Sequence, residues 1–162
     1  MRVGFLFGVA VILDQVAKLI VRQTMEMGQS IPILGHVLKV TYVENPGIAF
    51  GIRVGNGSLF TVLSVLASFV VFIYLVTHRN EGILLKGSLA LILGGAFGNL
   101  IDRIVYRQVV DFIDVGIGNL RWPVFNVADS AVVVGMAMLF YSVFIAGRSK
   151  GEAEQEGVKE VE

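Results

Sequence analysis

The sequence of 162 residues contains no cysteine and only two histidines. The absence of cysteine excludes disulfide bonds, thiolate zinc sites and a cysteine nucleophile. His36 and His78 lie far apart in the sequence, which argues against a metal site built on imidazole ligands. A site made only of carboxylates remains possible in principle. We predict a protein that uses no metal and no other cofactor.

Charged residues are also scarce, at 16% of the chain, against roughly 25% in soluble domains. The formal net charge is zero, so the charge balance gives no indication of a nucleic-acid partner. Hydrophobic residues make up 55% of the chain and the mean hydropathy is +0.76. This composition is typical of a membrane protein, and the length allows one compact unit.

Four apolar stretches lie at about residues 3–22, 58–77, 83–104 and 124–146. Each approaches the roughly 20 residues that a transmembrane helix needs, and helices are expected because lipid offers the backbone no hydrogen-bond partners. The sequence therefore predicts an all-α membrane protein. We expect a four-transmembrane-helix bundle in one domain, residues 1–147, followed by a disordered cytoplasmic tail, residues 148–162. The first stretch also resembles a secretory signal peptide, but no small-residue cleavage site follows it, so we expect a retained span.

Four spans place both termini on one side of the membrane. Lysine and arginine divide almost equally between the two sides, so the positive-inside rule alone does not orient the protein; we predict cytoplasmic termini. Residues 31–43 are β-branched and partly alternating. This pattern predicts one or two short strands with a hairpin turn near Gly35, forming a platform at the membrane interface. A plain connecting loop is the alternative.

Five aspartates lie inside or beside the apolar stretches: Asp14, Asp102, Asp111, Asp114 and Asp129. Ionisable groups near a bilayer are costly, and they tend to face a bundle interior and to have a function. With antiparallel spans, most polar candidates map to the non-terminal side of the membrane. They are Asp14 and Lys18 late in the first span, Asn45 in the loop after it, Asn99, Asp102 and Arg103 late in the third, Asp111 and Asp114 in the next loop, and Asn126 and Asp129 early in the fourth. This convergence indicates chemistry or ion handling at that end.

The spacing assigns different roles within this group. Asp14 and Lys18 are four residues apart on one helical face, which indicates an ion pair or, alternatively, support of a site. Asn99, Asp102 and Arg103 are interpreted as structural support. In the same third span, Gly94 and Gly98 form a small-residue face that favours close helix packing.

Asp111 and Asp129 are the candidates for direct chemistry, because both lie in apolar settings and Asp129 has no cationic neighbour in sequence. Two carboxyls brought together cannot both ionise easily, so one stays protonated and the other charged. Such a pair can activate a water molecule and then protonate a leaving amine. The alternative is that both aspartates cap helix N-termini.

Five segments together resemble the lipoprotein signal peptidases, also called signal peptidase II. They are DQVAK at 14–18, VENPGIAFG at 43–51, GGAFGNLIDR at 94–103, VVDFID at 109–114 and FNVADS at 125–130. The resemblance covers nearly the whole chain except the tail, and the specificity lies in finding all five segments in order on four spans.

The resemblance implies an aspartyl protease of the bacterial cytoplasmic membrane that removes signal peptides from diacylglyceryl-modified prolipoproteins, cutting just before the lipidated cysteine. By position, Asp111 and Asp129 match the catalytic dyad. Asn99, Asp102, Arg103 and Asn126 match residues that shape the site, and Asp14, Lys18 and Asn45 match further polar positions of the family. The strand-rich segment matches an extracytoplasmic β cradle beside a short mobile element that covers the site. The expected partners are the prolipoprotein and membrane lipid, and we expect a monomer.

Two other classes compete with this interpretation. An ion-coupled transporter would place its site near mid-bilayer between internal repeats, whereas no repeat is evident and the acidic residues lie at one end. A structural membrane protein would not need unpaired aspartates such as Asp129.

Overall fold

The computed structural model describes the backbone of residues 2–46, 48–49, 52–53 and 58–159, and the side chains of residues 3–46 and 61–144. Its helices are α1 (Arg2–Thr24), α2 (Ser58–Thr77), α3 (Ile83–Tyr106) and α4 (Val127–Lys159). Three segments within α1, α3 and α4 are long and apolar enough to cross a membrane, and α2 contains a shorter apolar helix, Thr61–Thr77. The molecule is therefore mostly helical, and the crossing of the membrane by α2 stays a prediction.

Helix α3 lies at the centre of the bundle and packs against α1, α2 and α4. Its glycines make this possible. A Cβ atom on Gly94 would lie 2.8 Å from the Cβ of Ala10 in α1, and one on Gly95 would collide with the backbone of Ala128 in α4. The predicted role of the small-residue face in helix packing is confirmed.

The strands form a small four-stranded antiparallel sheet at one end of the bundle and a separate two-stranded pair. They are β1 (Ser30–Leu34), β2 (Leu38–Asn45), β3 (Ile48–Ala49), β4 (Ile52–Arg53), β5 (Val109–Ile117) and β6 (Leu120–Arg121). The four-stranded sheet has the order β1-β2-β5-β6, and β3 pairs with β4 separately. The predicted hairpin is confirmed, with Gly35 in its turn at a φ of +52°. Strand β5 occupies a segment that the sequence analysis interpreted as a loop.

The pairing of β2 with β5 positions polar residues from distant parts of the chain. Val43 lies opposite Asp111, and Asn45 lies opposite Val109. A small core of Val21, Tyr42, Val110 and Phe112 packs the sheet against the end of α1. Burial of these apolar side chains holds the sheet at the end of the bundle where α3 ends and α4 begins.

Two features differ from the expected boundaries. Helix α4 begins at Val127, three residues after the predicted start of the fourth span, and it continues to Lys159. The disorder of the tail, residues 148–162, stays a prediction. The segment after Gly151 contains alanine, glutamate and glutamine, which are strong helix formers. Gly47 in the predicted turn after Asn45 and residues 160–162 of the tail lie outside the described residues.

Candidate active site

Lys18 occupies a buried position near the end of α1, with three acceptors around its ammonium group. Its Nζ lies 2.7 Å from Asp14 Oδ2 and 3.0 Å from Asp102 Oδ2, and it donates a 2.9 Å hydrogen bond to Asn99 Oδ1. An ammonium group has three protons to donate, so this arrangement satisfies it fully. The Asp14–Lys18 ion pair predicted from the sequence is present, and it extends to α3.

The two carboxylates around Lys18 also bind backbone groups of other elements. Asp14 Oδ1 accepts a 2.9 Å hydrogen bond from the N–H of Ala128 in α4. Asp102 Oδ2 accepts one of 3.2 Å from the N–H of Val110 in β5. The ion cluster therefore joins α1, α3, α4 and the sheet. The supporting role of Asp14, Lys18 and Asp102 stays a prediction.

Gln15 is part of the same cluster, although the sequence analysis gave it no role. Its Nε2 lies within hydrogen-bond distance of Asp14 Oδ2, the carbonyl of Gly98 and Asp102 Oδ1, at 3.1, 3.1 and 3.3 Å. The signal available in the sequence was its position as a polar residue between Asp14 and Lys18 within an apolar span.

Asp129 lies in the first turn of α4 and is held from two directions. Its Oδ1 accepts a 2.8 Å hydrogen bond from Asn99 Nδ2. Its Oδ2 accepts a 3.1 Å bond from the backbone N–H of Asn126, while Asn126 Oδ1 accepts a 2.9 Å bond from the N–H of Asp129. This reciprocal pair is a capping box. The capping role weighed as an alternative for Asp129 is therefore present, and it fixes the carboxylate in place.

Asp111 projects from β5 and is almost fully buried, at 4% exposure. Its Oδ1 accepts a 2.7 Å hydrogen bond from Asn126 Nδ2, and its Oδ2 accepts a 3.1 Å bond from Asn45 Nδ2. Burial raises the pKa of Asp111 to about 6; the bond from Asn45 opposes this shift, and the charge of Asp129 adds to it. Asp111 is thus a carboxyl group that holds its proton at a pH where an ordinary aspartate has lost it.

Two asparagines connect the two aspartates. Asn126 binds Asp111 and Asn99 binds Asp129. The two asparagines also bind each other, with Asn126 Nδ2 3.0 Å from Asn99 Oδ1. Each carboxylate oxygen of Asp111 and Asp129 receives one hydrogen bond and can accept a second. The structure therefore joins Asp111 and Asp129 through one hydrogen-bond network.

Arg103 borders this network on the side of α2. Its Nη1 donates a 3.3 Å hydrogen bond to Ser64 Oγ, and it lies close enough to Asp129, Asp111 and Asp102 for their charges to act on it. Ser64 was not identified from the sequence, because a serine within an uncharged apolar stretch gives no distinguishing signal. The guanidinium provides a positive charge beside the aspartates.

Asp114, the fifth aspartate in an apolar setting, belongs to a different cluster. Arg121 Nε lies 2.7 Å from its Oδ1, and Thr41 donates a 2.8 Å hydrogen bond to its Oδ2. Burial acts to raise the pKa of Asp114, but the bonds from Arg121 and Thr41 outweigh burial and hold it below its usual value. These contacts join β2, β5 and β6, so Asp114 stabilises the sheet.

Carboxylates are the acidic groups available in this site. Within the described part of the chain, no group of three or more His, Cys, Asp or Glu side chains is arranged to hold a metal ion. Two carboxyls joined by one hydrogen-bond network can divide the roles of general acid and general base.

Comparison with known proteins adds an independent line of information. A profile of the family described as Signal peptidase (SPase) II matches residues 6–145. The lipoprotein signal peptidase of Halothermothrix orenii is 47% identical over 131 residues, covering 81% of this chain and 87% of that protein. The lipoprotein signal peptidase of Bacillus velezensis is 41% identical over 141 residues, covering 86% of this chain and 92% of that protein.

Solved structures agree with these sequence matches. A bacterial membrane enzyme determined by the in meso method at 2.3 Å resolution has a TM-score of 0.78 and 30% identity, covering 92% of this chain and 91% of that chain. A second, determined at 1.9 Å, has a TM-score of 0.74 and 31% identity, covering 88% and 92%. The resemblance found in the five sequence segments is confirmed. The chain belongs to the signal peptidase II family, and it is a multi-pass membrane protease.

Proposed function

We propose that this protein is an aspartic endopeptidase that removes signal peptides from diacylglyceryl-modified prolipoproteins, cutting before the lipidated cysteine. The observation that carries the proposal is the network in which Asn99 and Asn126 hold Asp129 and Asp111 together at the bundle end. The relatives named lipoprotein signal peptidase support the substrate class. Asp111 and Asp129 are the proposed catalytic residues.

In the proposed mechanism the two aspartates share one proton. Asp111, whose pKa burial raises to about 6, holds this proton and donates a hydrogen bond to the scissile carbonyl. Asp129 lies at the N-terminus of α4, where a negative charge is favoured, and it removes a proton from the attacking water. Water oxygen bonds to the carbonyl carbon, the C–N bond breaks, and a carboxyl proton passes to the leaving amine.

The supporting residues act on this pair through position and charge. Asn45 and Asn126 orient Asp111, and Asn99 orients Asp129. The cluster of Lys18 with Asp14 and Asp102 holds Asn99 in turn. Arg103 is proposed to bind a substrate carbonyl or a lipid headgroup beside the dyad.

We further propose that α2 is a fourth span, that the termini are cytoplasmic, and that the site faces the extracytoplasmic side of the bacterial cytoplasmic membrane. A diacylglyceryl group inserted in that leaflet would hold the scissile bond at the membrane surface, next to a dyad at the same depth. Anchoring of the substrate by its lipid then supplies catalytic proximity. A monomer is sufficient for this chemistry, because all proposed residues belong to one chain.

The test is cleavage of a purified diacylglyceryl-modified prolipoprotein by the detergent-solubilised protein. Wild type, Asp111→Asn and Asp129→Asn are compared with and without a chelator. We expect chelator-insensitive cleavage by wild type and a loss of at least about a hundredfold in each variant, which is the scale of general acid–base catalysis. Mass spectrometry of the product locates the cut.

Asp114→Asn is the matched control, because Asp114 lies on the same strand but binds Arg121 and Thr41. It should retain cleavage, and all variants should retain helicity. No cleavage by folded wild type would contradict the proposed substrate. Full activity in either dyad variant would show that the catalytic pair is misassigned.

A further inference from the structure

The end of the sheet farthest from the aspartate dyad carries a cluster of exposed apolar side chains. We define this distal tip by five residues in or beside the β1–β2 and β5–β6 turns: Leu34, Val37, Ile117, Leu120 and Trp122. Leu120 is 83% exposed, Ile117 79% and Trp122 63%, and the other two are more than half exposed. Five large apolar side chains grouped in this way exceed the scattered exposure that is normal on a soluble surface.

Hydrogen bonds hold the two turns side by side. The N–H of Gly116 donates a 2.9 Å bond to the carbonyl of Val37, and Arg121 Nη1 donates a 2.6 Å bond to the carbonyl of His36. Leu38 pairs with Val115 in the neighbouring ladder. The apolar side chains of the two turns therefore form one surface.

The distal tip is also free of charge. Residues 31–38 and 115–120 contain no Asp, Glu, Lys or Arg. Lys39, Asp114 and Arg121 directly flank these segments, and Arg121 is paired with Asp114. An uncharged apolar surface with a tryptophan at its border has the composition of a membrane–water interface, where the amphipathic indole ring is favoured.

Chain length limits how far the distal tip can lie from the bilayer. Trp122 is five residues before Val127, the first residue of α4, and five extended residues span at most about 18 Å. The region from the hydrocarbon boundary to the outer edge of the headgroups is itself roughly 5–8 Å thick. The tip is thus tethered within reach of the leaflet into which α4 inserts.

We propose that the distal tip inserts into the headgroup–acyl boundary of the leaflet on the active-site side, so that the sheet lies along the membrane surface. Its partner is the lipid bilayer. The helices carry exposed apolar side chains at the same end of the bundle, such as Ile20 of α1 at 55% and Ile104 of α3 at 60% exposure. Immersion fixes the far ends of β2 and β5, whose near ends bear Asn45 and Asp111.

Trp122 is the sole tryptophan of the chain, so its fluorescence reports on the tip without interference. The protein is reconstituted into phosphatidylethanolamine–phosphatidylglycerol vesicles containing phospholipids brominated at shallow or deep acyl positions. We expect loss of emission that is strongest with shallow bromines, and little loss with iodide in the water phase. This measurement does not depend on peptidase activity, so it stands or falls separately from the proposed function.

Two variants and one control test the assignment to specific residues. Leu120→Glu and Ile117→Glu should reduce the bromolipid quenching and increase quenching by iodide, because a buried carboxylate at the interface is costly. Ile83→Glu places the same charge on an exposed apolar residue at the start of α3, at the opposite end of the bundle from the sheet, and should leave both unchanged. Strong iodide quenching of wild type would overturn the proposal. Protection of Trp122 from both quenchers that disappears when the protein is diluted in the vesicles would also overturn the proposal. Such a result would indicate that a second copy of the protein covers the tip.

Discussion

At the scale of single residues, the ammonium group of Lys18 determines the electrostatic balance of the site. It neutralises part of the charge of Asp14 and Asp102 in a region where all three side chains are essentially unexposed. Charges removed from water are stable only when paired and hydrogen-bonded. Lys18 is therefore a structural requirement of the site as well as a contact of Asn99.

Lys18→Met should destabilise the protein by about 3–5 kcal/mol, the cost of leaving buried charges without their partner. Chemical unfolding in detergent, followed by circular dichroism, measures this loss. The triple variant with Asp14→Asn and Asp102→Asn should recover part of the stability, because it removes the uncompensated carboxylates. Equal stability of Lys18→Met and wild type would mean that these charges are solvated in the membrane protein.

The raised pKa of Asp111 predicts that the stability of the folded protein depends on pH. Its pKa in the folded protein is about 6, above the ordinary value of 3.8, so the folded state binds the proton more tightly than the unfolded state. The stabilising contribution is complete below pH 3.8 and is lost as the pH rises through about 6. The free energy of unfolding of wild type, relative to Asp111→Asn, should therefore fall across this interval. A difference that increases with pH would contradict the assignment.

At the scale of elements, close approach of helices places the charged groups. A Cβ on Gly98 of α3 would lie 2.6 Å from Asp14 Oδ2 in α1, so α1 can hold its carboxylate there only because this position is glycine. The same helix turns Asn99 toward Lys18 and Asp129. Packing and site geometry are thus set by adjacent residues of one helix.

Gly98→Ala should reduce the rate of prolipoprotein cleavage and lower the melting temperature, because the methyl group must displace the Asp14 carboxylate from Lys18. Gly4→Ala in α1 is the control, since nothing lies within 4 Å of a Cβ there. Cleavage assays and thermal unfolding of both variants separate the effects. Unchanged cleavage by Gly98→Ala would mean that the ion cluster tolerates displacement.

The sequence predicted the elements with strong local signals. Long apolar stretches predicted the helices, and the alternating residues around Gly35 predicted the first hairpin. Strand β5 was missed because Asp111 and Asp114 are residue types depleted in strands, and its pairing with β2 joins positions more than sixty residues apart. Pairing at such separation leaves no local pattern, so the contact between Asn45 and Asp111 required the structure.

The candidate site shows the same limit. Convergence of the polar residues at one end followed from antiparallel spans and was found from the sequence. The individual contacts did not follow from this convergence, because they depend on how the helices rotate and cross. Examples are the bridge from Gln15 to Asp14 and Asp102, and the contact of Ser64 with Arg103.

At the scale of the whole molecule, α2 is held differently from the other helices. It packs on α3, while α1 and α2 have few contacts with each other. Between them lies an apolar groove of about 540 Å³ lined by residues of α1, α2 and α3. Because α2 supplies the Ser64 contact of Arg103, a helix with little protein packing also borders the candidate site.

The capping box at the start of α4 has a consequence for heating. Asn126 and Asp129 hold each other through backbone N–H groups, and helix ends are the first parts of a helix to fray. A frayed first turn would release the Asp129 carboxylate from its position while most of the bundle is still folded. Because the proposed catalytic residue Asp129 lies in this turn, we expect cleavage activity to be lost on heating at a lower temperature than helicity, as measured by cleavage assays and circular dichroism on one sample.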